Sequence, residues 1–204
     1  MYKNIVFDVD GTLIDTESAD LQALHDMMLD LTQKDIPLED LRFAIGIPGV
    51  GALTDLGLKN TENAFALWRK YYLKHIGETK VFPGISEVLE QLAGRSCVLG
   101  IVTSRLKFEF LEDVDPLGLS HYFPFIVCAD DTEEHKPHPA PMHKFLELSG
   151  ADPSSTLYVG DTVYDMECAR AAGVASALAL WGGKPPKNIS ATYFLREPGE
   201  LLNL

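Results

Sequence analysis

The feature that most constrains the fold is an alternation of strand-like and helix-like segments from Cys97 to the end of the chain. Its first member, Cys97–Val102, is a continuous apolar run, which is typical of a parallel strand buried on both faces. Further strand-like runs follow at 125–128, 156–159, 176–180 and, as an edge strand, 192–194. This alternation predicts an α/β fold with a parallel sheet and right-handed helical crossovers.

One more predicted strand, Ile5–Phe7, stands alone near the N-terminus. Between it and the alternating region, residues from about 16 to 80 show helical periodicity and no strand candidate. A stretch of this length is too long for a crossover. We therefore expect a core domain of residues 1–15 and 82–204, with residues 16–81 inserted as a small α-helical cap domain.

Composition limits the possible partners. The 204 residues are 46% hydrophobic, which suffices for one full core plus a small module. The formal net charge of -13 argues against nucleic acid as a partner, because phosphate backbones require a basic surface. An anionic substrate would need a metal ion or a few cationic side chains to reverse the field locally.

The cysteines and the apolar pattern indicate a cytoplasmic protein. Cys97, Cys128 and Cys168 are far apart and lack metal-ligand spacing, so buried cysteines in a reducing compartment are expected. No apolar stretch reaches the length of a membrane span, and the chain begins with a strand rather than a signal peptide. We therefore expect no membrane partner.

Polar residues follow each predicted core strand. In chain order they are Asp8 and Asp10, Thr103 and Ser104, Asp130 and Asp131, Asp161 and, four residues later, Asp165. The carboxyl ends of parallel strands meet at the same edge of a sheet, where open α/β sheets bind ligands. The alternative for Asp8–Gly11 is an ordinary acidic turn. Two close carboxylates repel, however, and a hard cation such as Mg²⁺ would stabilise them.

These residue types fit phosphoryl transfer, which needs mainly positioning and charge neutralisation. Asp8 is a candidate nucleophile, since carboxylates form aspartyl-phosphates. Asp10 is placed to act as general acid towards a leaving oxygen and then as base for water. Thr103 and Ser104 offer hydroxyl and backbone N–H donors for phosphate oxygens.

Three later residues complete the predicted site. Lys136 supplies one positive charge in a loop stiffened by prolines. Asp161 brings a further carboxylate to a cation shared with Asp8. Asp165 lies about one helical turn beyond Asp161 and is expected to pair with Lys136 or with the metal shell.

Together these segments resemble the four motifs of the haloacid dehalogenase superfamily. The matching segments are Asp8-x-Asp10-Gly11-Thr12-Leu13, Thr103 after an apolar strand, Lys136-Pro137-x-Pro139-x-Pro141 and Gly160-Asp161-x-x-x-Asp165. The resemblance implies a Rossmann-like three-layer α/β/α core and a small α-helical cap like that of phosphoglycolate phosphatase-like members. The segments Asp15–Glu17 and Phe82–Gly84 match the usual limits of such a cap.

The resemblance also implies roles for individual residues. Asp8 would be the nucleophile, and Asp10 the acid/base that also ligates Mg²⁺ through its backbone carbonyl. Asp8 and Asp161 would be the carboxylate ligands, and Thr103 and Lys136 would bind phosphate. Thr12 and Asp165 are expected to support the site.

Asp10 distinguishes between activities of this superfamily. Dehalogenase members lack a second aspartate, because a halide leaving group needs no proton, so Asp10 favours a phosphatase or phosphomutase. One departure from the pattern is Ser104-Arg105, where similar phosphatases often have Asn and Lys. Arg105 is either a further phosphate contact or a surface residue.

The sequence therefore predicts a Mg²⁺-dependent phosphatase of a small phosphomonoester metabolite, similar to phosphoglycolate. Alternatives are a β-phosphoglucomutase-like sugar phosphomutase, a pyrophosphatase and a non-catalytic binding protein. The Gly46–Gly51 stretch is interpreted as a turn over the active site, with Arg42 as a candidate substrate contact. The Gly182–Pro186 loop is expected to fringe the site, and the sequence indicates no particular oligomeric state.

Overall fold

The computed structural model describes residues 2–44, 47–183 and 189–204, which fall into two compact units. The core unit consists of Met1–Ile14 and Val81–Leu204, and the helical unit of Asp15–Lys80. None of the described helices has the length and apolar character needed to span a lipid bilayer.

The helices and strands have the following bounds. In chain order, the strands are β1 (Asn4–Phe7), β2 (Ile14–Asp15), β3 (Lys80–Val81), β4 (Val98–Val102), β5 (Phe125–Val127), β6 (Thr156–Gly160), β7 (Ala175–Ala179) and β8 (Tyr193–Leu195). The helices are α1 (Glu17–Thr32), α2 (Leu38–Leu41), α3 (Gly49–Asp55), α4 (Thr61–His75), α5 (Ile85–Gly94), α6 (Lys107–Glu109), α7 (Ala140–Ser149) and α8 (Val163–Ala171). β2 and β3 pair in a separate two-stranded sheet.

The core unit is built on a six-stranded sheet in the order β5-β4-β1-β6-β7-β8, with parallel pairing throughout. β1 lies between β4 and β6, with Phe7 in register with Ile101 on one side and Val159 on the other. The direction of strand addition reverses beside β1, which is where sheets of this kind bind their ligands. The predicted α/β class with a parallel sheet is confirmed.

Side chains alternate between the two faces of the sheet and define two apolar layers. Ile5 and Phe7 pack on one face with α5 residues such as Ile85 and Leu89. Val6 points to the opposite face, in a cluster with residues of α7 and α8. This period of two is expected of strands buried on both sides, and it produces the three-layer α/β/α arrangement.

A close contact between sheet and helix explains the glycine in β4. A Cβ atom on Gly100 would lie 2.1 Å from the ring of Phe145 in α7. Phe145 is fully buried, so its ring occupies the space that a larger residue in β4 would need.

The helical unit has its own core between α1 and α4, which includes Leu24, Met27, Trp68 and Tyr72. Both aromatic side chains are buried. Tyr71 is half-buried at the edge of this core.

The prediction of a turn over Gly46–Gly51 is wrong in its second half, because α3 begins at Gly49 after Pro48. Proline precedes helices readily, and Gly49 leaves room for the ring of Phe65, which a Cβ would approach to 2.5 Å. Gly46 itself lies outside the described residues. The prediction of no strand between about residue 16 and residue 80 is also wrong at its limit, since Lys80 belongs to β3.

The helix after β4 exposes two of its apolar side chains. α6 continues as a π-helical turn over Phe110–Val114. Phe108 and Leu111 are 44% and 55% exposed, whereas Phe110 and Val114 are buried. The wider turn changes the angle between successive side chains, so the ordinary helical period does not identify the buried face.

Candidate active site

Three neighbouring strand ends meet at the carboxyl edge of the sheet. Asp8 follows β1, Thr103 follows β4 and Asp161 follows β6, and β1 is the middle strand of the three. The backbone N–H of Asp8 donates to the carbonyl oxygen of Val159 at 2.8 Å, which extends the pairing of β1 and β6 by one residue. Asp8 is therefore held in extended backbone directly beside the end of β6.

The loop after Asp8 turns tightly, with the N–H of Leu13 donating to the carbonyl oxygen of Val9 at 2.8 Å. Gly11 has a φ of +72°, and a Cβ on it would lie 2.2 Å from Asp161 Oδ2. Glycine is thus required twice, for the left-handed backbone and for the approach of the carboxylate. Thr12 Oγ1 donates to Asp161 Oδ1 at 3.3 Å, so the loop also orients Asp161.

Lys136 joins two aspartates in the interior. Its Nζ lies 3.0 Å from Asp8 Oδ1 and 2.7 Å from Asp165 Oδ1. The side chains of Lys136, Asp8 and Asp165 are 1%, 3% and 0% exposed. The pairing of Asp165 with Lys136 is one of the two arrangements expected from their spacing.

Asp165 accepts hydrogen bonds at both carboxylate oxygens. Its Oδ2 accepts from the N–H of Thr162 at 3.0 Å and from Thr162 Oγ1 at 2.6 Å. The Thr162 hydroxyl in turn accepts from the N–H of Asp165, forming a capping box at the start of α8. The other carboxylate oxygen, Asp165 Oδ1, contacts Lys136 and lies 2.9 Å from the hydroxyl of Tyr158.

Tyr158 is a site-supporting residue that sequence reasoning missed. It is fully buried in β6, and its hydroxyl also lies 2.9 Å from the carbonyl oxygen of Val102 at the end of β4. A tyrosine inside an apolar strand was the available signal, because a buried hydroxyl requires a partner.

The cluster of Asp8, Asp161, Asp165 and Lys136 contains three acidic side chains and one basic side chain. Burial raises the pKa of Asp8 to about 7, although the positive charge of Lys136 works in the opposite direction. Burial, together with the negative charges of Asp165 and Asp8, also raises the pKa of Asp161 well above its ordinary value. The pKa of Asp165 is lowered despite its burial, because Lys136 and Thr162 stabilise the carboxylate.

The acidic cluster fits a divalent cation. One carboxylate oxygen from each of Asp8, Asp161 and Asp165 lies within 4.8 Å of the others. Because Asp165 is already engaged by Lys136, Tyr158 and Thr162, Asp8 and Asp161 are the carboxylates best suited to hold the ion. Oxygen ligands of this kind suit Mg²⁺, and a cation would relieve the repulsion between them.

Asp10 is bound by Arg105. Arg105 Nε lies 2.9 Å from Asp10 Oδ2, and Nη2 lies 2.7 Å from Asp10 Oδ1. On its other side, Nη1 donates to Asp113 Oδ2 at 2.9 Å. Arg105 is 8% exposed, so the interpretation of this residue as a surface arginine is wrong. The two carboxylates offset the cost of burying its guanidinium.

The remaining predicted site residues are placed as follows. Thr103 is buried, its N–H donates to Val127 and its Oγ1 accepts from the N–H of Arg105 at 3.2 Å. Ser104 is half-buried. Arg42 belongs to the helical unit, where it forms an ion pair with Glu17. Its contact with a substrate stays a prediction.

Asp130 and Asp131 have structural partners after β5. Asp130 Oδ1 accepts from the N–H of Lys107 at 2.9 Å, and Asp131 Oδ2 accepts from the N–H of Cys128 at 2.7 Å. The bond from Cys128 caps the turn after β5, and the bond from Lys107 ties this turn to the start of α6, so both carboxylates have backbone partners.

The segment after β7 packs against the Asp8 loop. The indole N–H of Trp181 donates to the carbonyl oxygen of Thr12 at 2.9 Å. A Cβ on Gly182 would lie 2.4 Å from the carbonyl oxygen of Gly11. The start of the predicted Gly182–Pro186 loop is therefore close to the site, whereas Lys184–Pro186 lie outside the described residues.

The chain is an α/β protein whose buried lysine and acidic side chains lie at the ends of the central strands, where open α/β sheets bind their ligands. The chain belongs to the haloacid dehalogenase-like hydrolase family, whose model matches residues 5–179. The resemblance in the sequence motifs is thereby confirmed, and the chain is a hydrolase.

Curated relatives of this chain are phosphatases. It is 36% identical over 203 residues to a phosphoglycolate phosphatase of Aquifex aeolicus, covering 98% of this chain and 95% of the relative. It is 27% identical over 206 residues to the pyrophosphatase PpaX of Oceanobacillus iheyensis, covering 99% and 96%.

The fold also matches solved structures. A haloacid dehalogenase-like family hydrolase from Streptococcus pneumoniae superimposes with a TM-score of 0.86 at 27% identity, covering 99% of this chain and 97% of the other. The similarity therefore extends over nearly the full length of both chains.

Proposed function

We propose that this chain is a Mg²⁺-dependent phosphatase that hydrolyses a small phosphomonoester, similar to phosphoglycolate, through an aspartyl-phosphate on Asp8. The observation that carries the proposal is the position of Asp8 at the end of the central strand, 3.0 Å from the ammonium of Lys136 and within the acidic cluster. A carboxylate held next to one fixed cation is suited to attack a phosphoryl group.

In the first step, a carboxylate oxygen of Asp8 attacks phosphorus and the bond to the ester oxygen breaks. Asp10 donates a proton to the leaving oxygen, which departs as an alcohol. Thr103 and Ser104 donate hydrogen bonds to the phosphoryl oxygens, and Lys136 offsets their negative charge.

In the second step, Asp10 removes a proton from a water molecule. The resulting nucleophile attacks phosphorus of the aspartyl-phosphate, the bond to Asp8 breaks, and inorganic phosphate is released. Asp10 thus ends the cycle protonated, ready for the next leaving group.

The carboxylates of Asp8 and Asp161, with the backbone carbonyl of Asp10, would hold Mg²⁺. The ion would supply positive charge to phosphoryl oxygens in a site where the described side chains carry more negative than positive charge. Burial and neighbouring carboxylates raise the pKa values of Asp8 and Asp161, and a bound cation would stabilise both side chains in their charged forms.

A small substrate agrees with the chain's relatives and with its organisation. The 36% identical relative is a phosphoglycolate phosphatase. We propose that the helical unit is a cap that limits access to small molecules and that Arg42 contacts the substrate.

Release of phosphate from p-nitrophenyl phosphate and from a panel of phosphorylated metabolites tests the proposal. Activity should require Mg²⁺, disappear on addition of EDTA and fall at least about a thousandfold in Asp8→Asn, since the nucleophile is lost. Glu90→Gln, an exposed change in α5, is the matched control. Absence of turnover across the panel with Mg²⁺ would overturn the proposal.

Inorganic pyrophosphate belongs in the same panel. The similarity to the pyrophosphatase PpaX favours it as a second candidate substrate. A kcat/KM for pyrophosphate above that for every phosphomonoester would assign this activity instead.

A further inference from the structure

A buried chain of ion pairs connects Asp10 to Asp113 through Arg105. The Asp113 side chain is 1% exposed and that of Arg105 9%, whereas that of Asp10 is 17% exposed. The guanidinium is thus anchored at its inner end by Asp113 and holds Asp10 at its outer end. All three residues belong to the core unit.

The contact between Arg105 and Asp10 is bidentate. Nε and Nη2 each reach an oxygen of the same carboxylate, at 2.9 Å and 2.7 Å. Two parallel hydrogen bonds fix both the position and the rotation of a carboxylate, which a lysine ammonium cannot do. Asp10 therefore has a defined orientation.

The backbone of Arg105 is also held in place. Its N–H donates to Thr103 Oγ1 at 3.2 Å, and its carbonyl oxygen accepts from the N–H of Ala129 at 2.8 Å. These bonds fix Arg105 to the ends of β4 and β5. The orientation of Asp10 is consequently set by the sheet and not by its own loop alone.

We propose that Arg105 is the positioning residue for Asp10, an inference that rests on the proposed phosphatase function. Arg105 holds the carboxylate of Asp10 where it protonates the leaving oxygen and later deprotonates water. Proton transfer depends steeply on geometry, and displacement of a catalytic group by about 1 Å lowers rates roughly a hundredfold. Arg105 acts through Asp10 and need not touch the substrate.

The dependence of kcat/KM on the leaving group separates this role from a structural one. The leaving p-nitrophenolate is weakly basic and needs little protonation, whereas the alkoxide of an alkyl phosphate needs a proton. Arg105→Met should therefore lower kcat/KM about a hundredfold for phosphoglycolate, or the best alkyl phosphate of the panel. The loss with p-nitrophenyl phosphate should be less than about tenfold.

A double-mutant cycle with Asp10→Asn separates positioning from direct phosphate binding. If Arg105 acts through Asp10, Arg105→Met causes little further loss once Asp10 has become asparagine, within about threefold. Losses that multiply in the double variant, or equal losses with both esters, would overturn the proposal.

Folding and the proposed function are controlled separately. Circular dichroism and urea unfolding verify the fold of each variant. If Arg105→Met does not fold, Arg105→Lys replaces it, because lysine keeps the charge but not the bidentate contact. Arg105→Lys should show the same leaving-group dependence. Arg95→Met, which removes an exposed arginine of the core unit, should leave kcat/KM unchanged. An inactive wild-type protein overturns the phosphatase function and this inference with it. If the wild-type protein is active but Arg105→Met or Arg105→Lys leaves the leaving-group dependence unchanged, this inference alone is overturned.

Discussion

Lys136 Nζ lies 2.7 Å from Asp165 Oδ1, and both side chains are inaccessible to solvent. The same ammonium lies 3.0 Å from Asp8 Oδ1. Asp165 therefore serves the site by fixing a cation beside Asp8.

Asp165→Asn should destabilise the protein by about 1.5–3 kcal/mol, because the buried ammonium of Lys136 loses a charged hydrogen-bond partner. The isosteric amide keeps the shape of the side chain. Of the two aspartates that contact Lys136, only Asp8 then remains charged. Urea unfolding measures the change. The matched control is Glu147→Gln, which removes the solvent-exposed pair with Lys144 and should cost less than about 1 kcal/mol. Equal losses in the two variants would contradict the argument.

Tyr158→Phe should destabilise the protein by about 1–2 kcal/mol, since it leaves buried acceptors on Val102 and Asp165 without the hydroxyl. The effect on kcat should be smaller than that of Asp165→Asn, because Lys136 and Thr162 still hold the carboxylate. Urea unfolding and steady-state kinetics of the same preparations check both parts. A variant as stable as the wild type would show that the hydroxyl is not required.

Gly11→Ala should abolish activity, because its Cβ would overlap the carboxylate of Asp161 in addition to straining the left-handed backbone. Gly118→Ala is the matched control, since Gly118 has a similar φ of +78° but no neighbouring atom within 4 Å of an added Cβ. It should cost about 1–2 kcal/mol of stability and leave kcat/KM unchanged. Activity in Gly11→Ala would contradict the close approach of Asp161.

Mg²⁺ should stabilise the wild-type protein against urea, by about 2.7 kcal/mol at a hundred times its Kd. Asp161→Asn should lose most of this increment, because it removes a proposed carboxylate ligand. The unfolding midpoint is measured in EDTA and in Mg²⁺. Glu90→Gln should keep the full increment, and an unchanged increment in Asp161→Asn would remove this residue from the proposed metal site.

His25 and Asp26 should together stabilise the helical unit most between about pH 4 and 6.5, where both side chains are charged. The hydrogen bond to Asp35 raises the pKa of His25 above its usual 6.5 despite partial burial, and Asp26 contributes in the same direction. The contribution of His25 is therefore complete below about 6.5 and lost as pH rises through the raised pKa.

Asp26 behaves in the opposite way. Burial works against its charge, but hydrogen bonds from Gln22, His75 and His25 lower its pKa below the usual 3.8. Its contribution is present above about 3.8 and lost as pH falls. His25→Gln should reduce the unfolding midpoint at pH 5.5 more than at pH 9, whereas the exposed control His143→Gln should not. Equal effects of His25→Gln at both pH values would contradict the prediction.

The sequence predicts the architecture and the convergence of Asp8, Thr103 and Asp161 for a simple reason. Parallel strands place their carboxyl ends at one edge, so polar residues at those ends are neighbours whatever the exact register. The spacing of Asp161 and Asp165 similarly places the second residue in the first turn of α8. These features depend on the backbone, which local sequence patterns indicate well.

The contacts of Arg105 and Tyr158 depend instead on side-chain packing. Nothing in the local sequence indicates that Arg105 turns inwards between Asp10, 95 residues away, and Asp113. The Tyr158 hydroxyl likewise finds its partners only once β4, β6 and α8 are packed. The ordinary helical period does not indicate the exposure of Phe108 and Leu111, because the π-helical turn departs from that period.

The hydrogen bond from Trp181 to the carbonyl oxygen of Thr12 provides an optical probe of the active-site loop. The chain contains two tryptophans, and the other, Trp68, belongs to the core of the helical unit. A Trp68→Phe variant would leave Trp181 as the single tryptophan, bonded to the loop that carries Asp8 and Asp10. Its emission would report ligand binding at this loop without a label and without turnover.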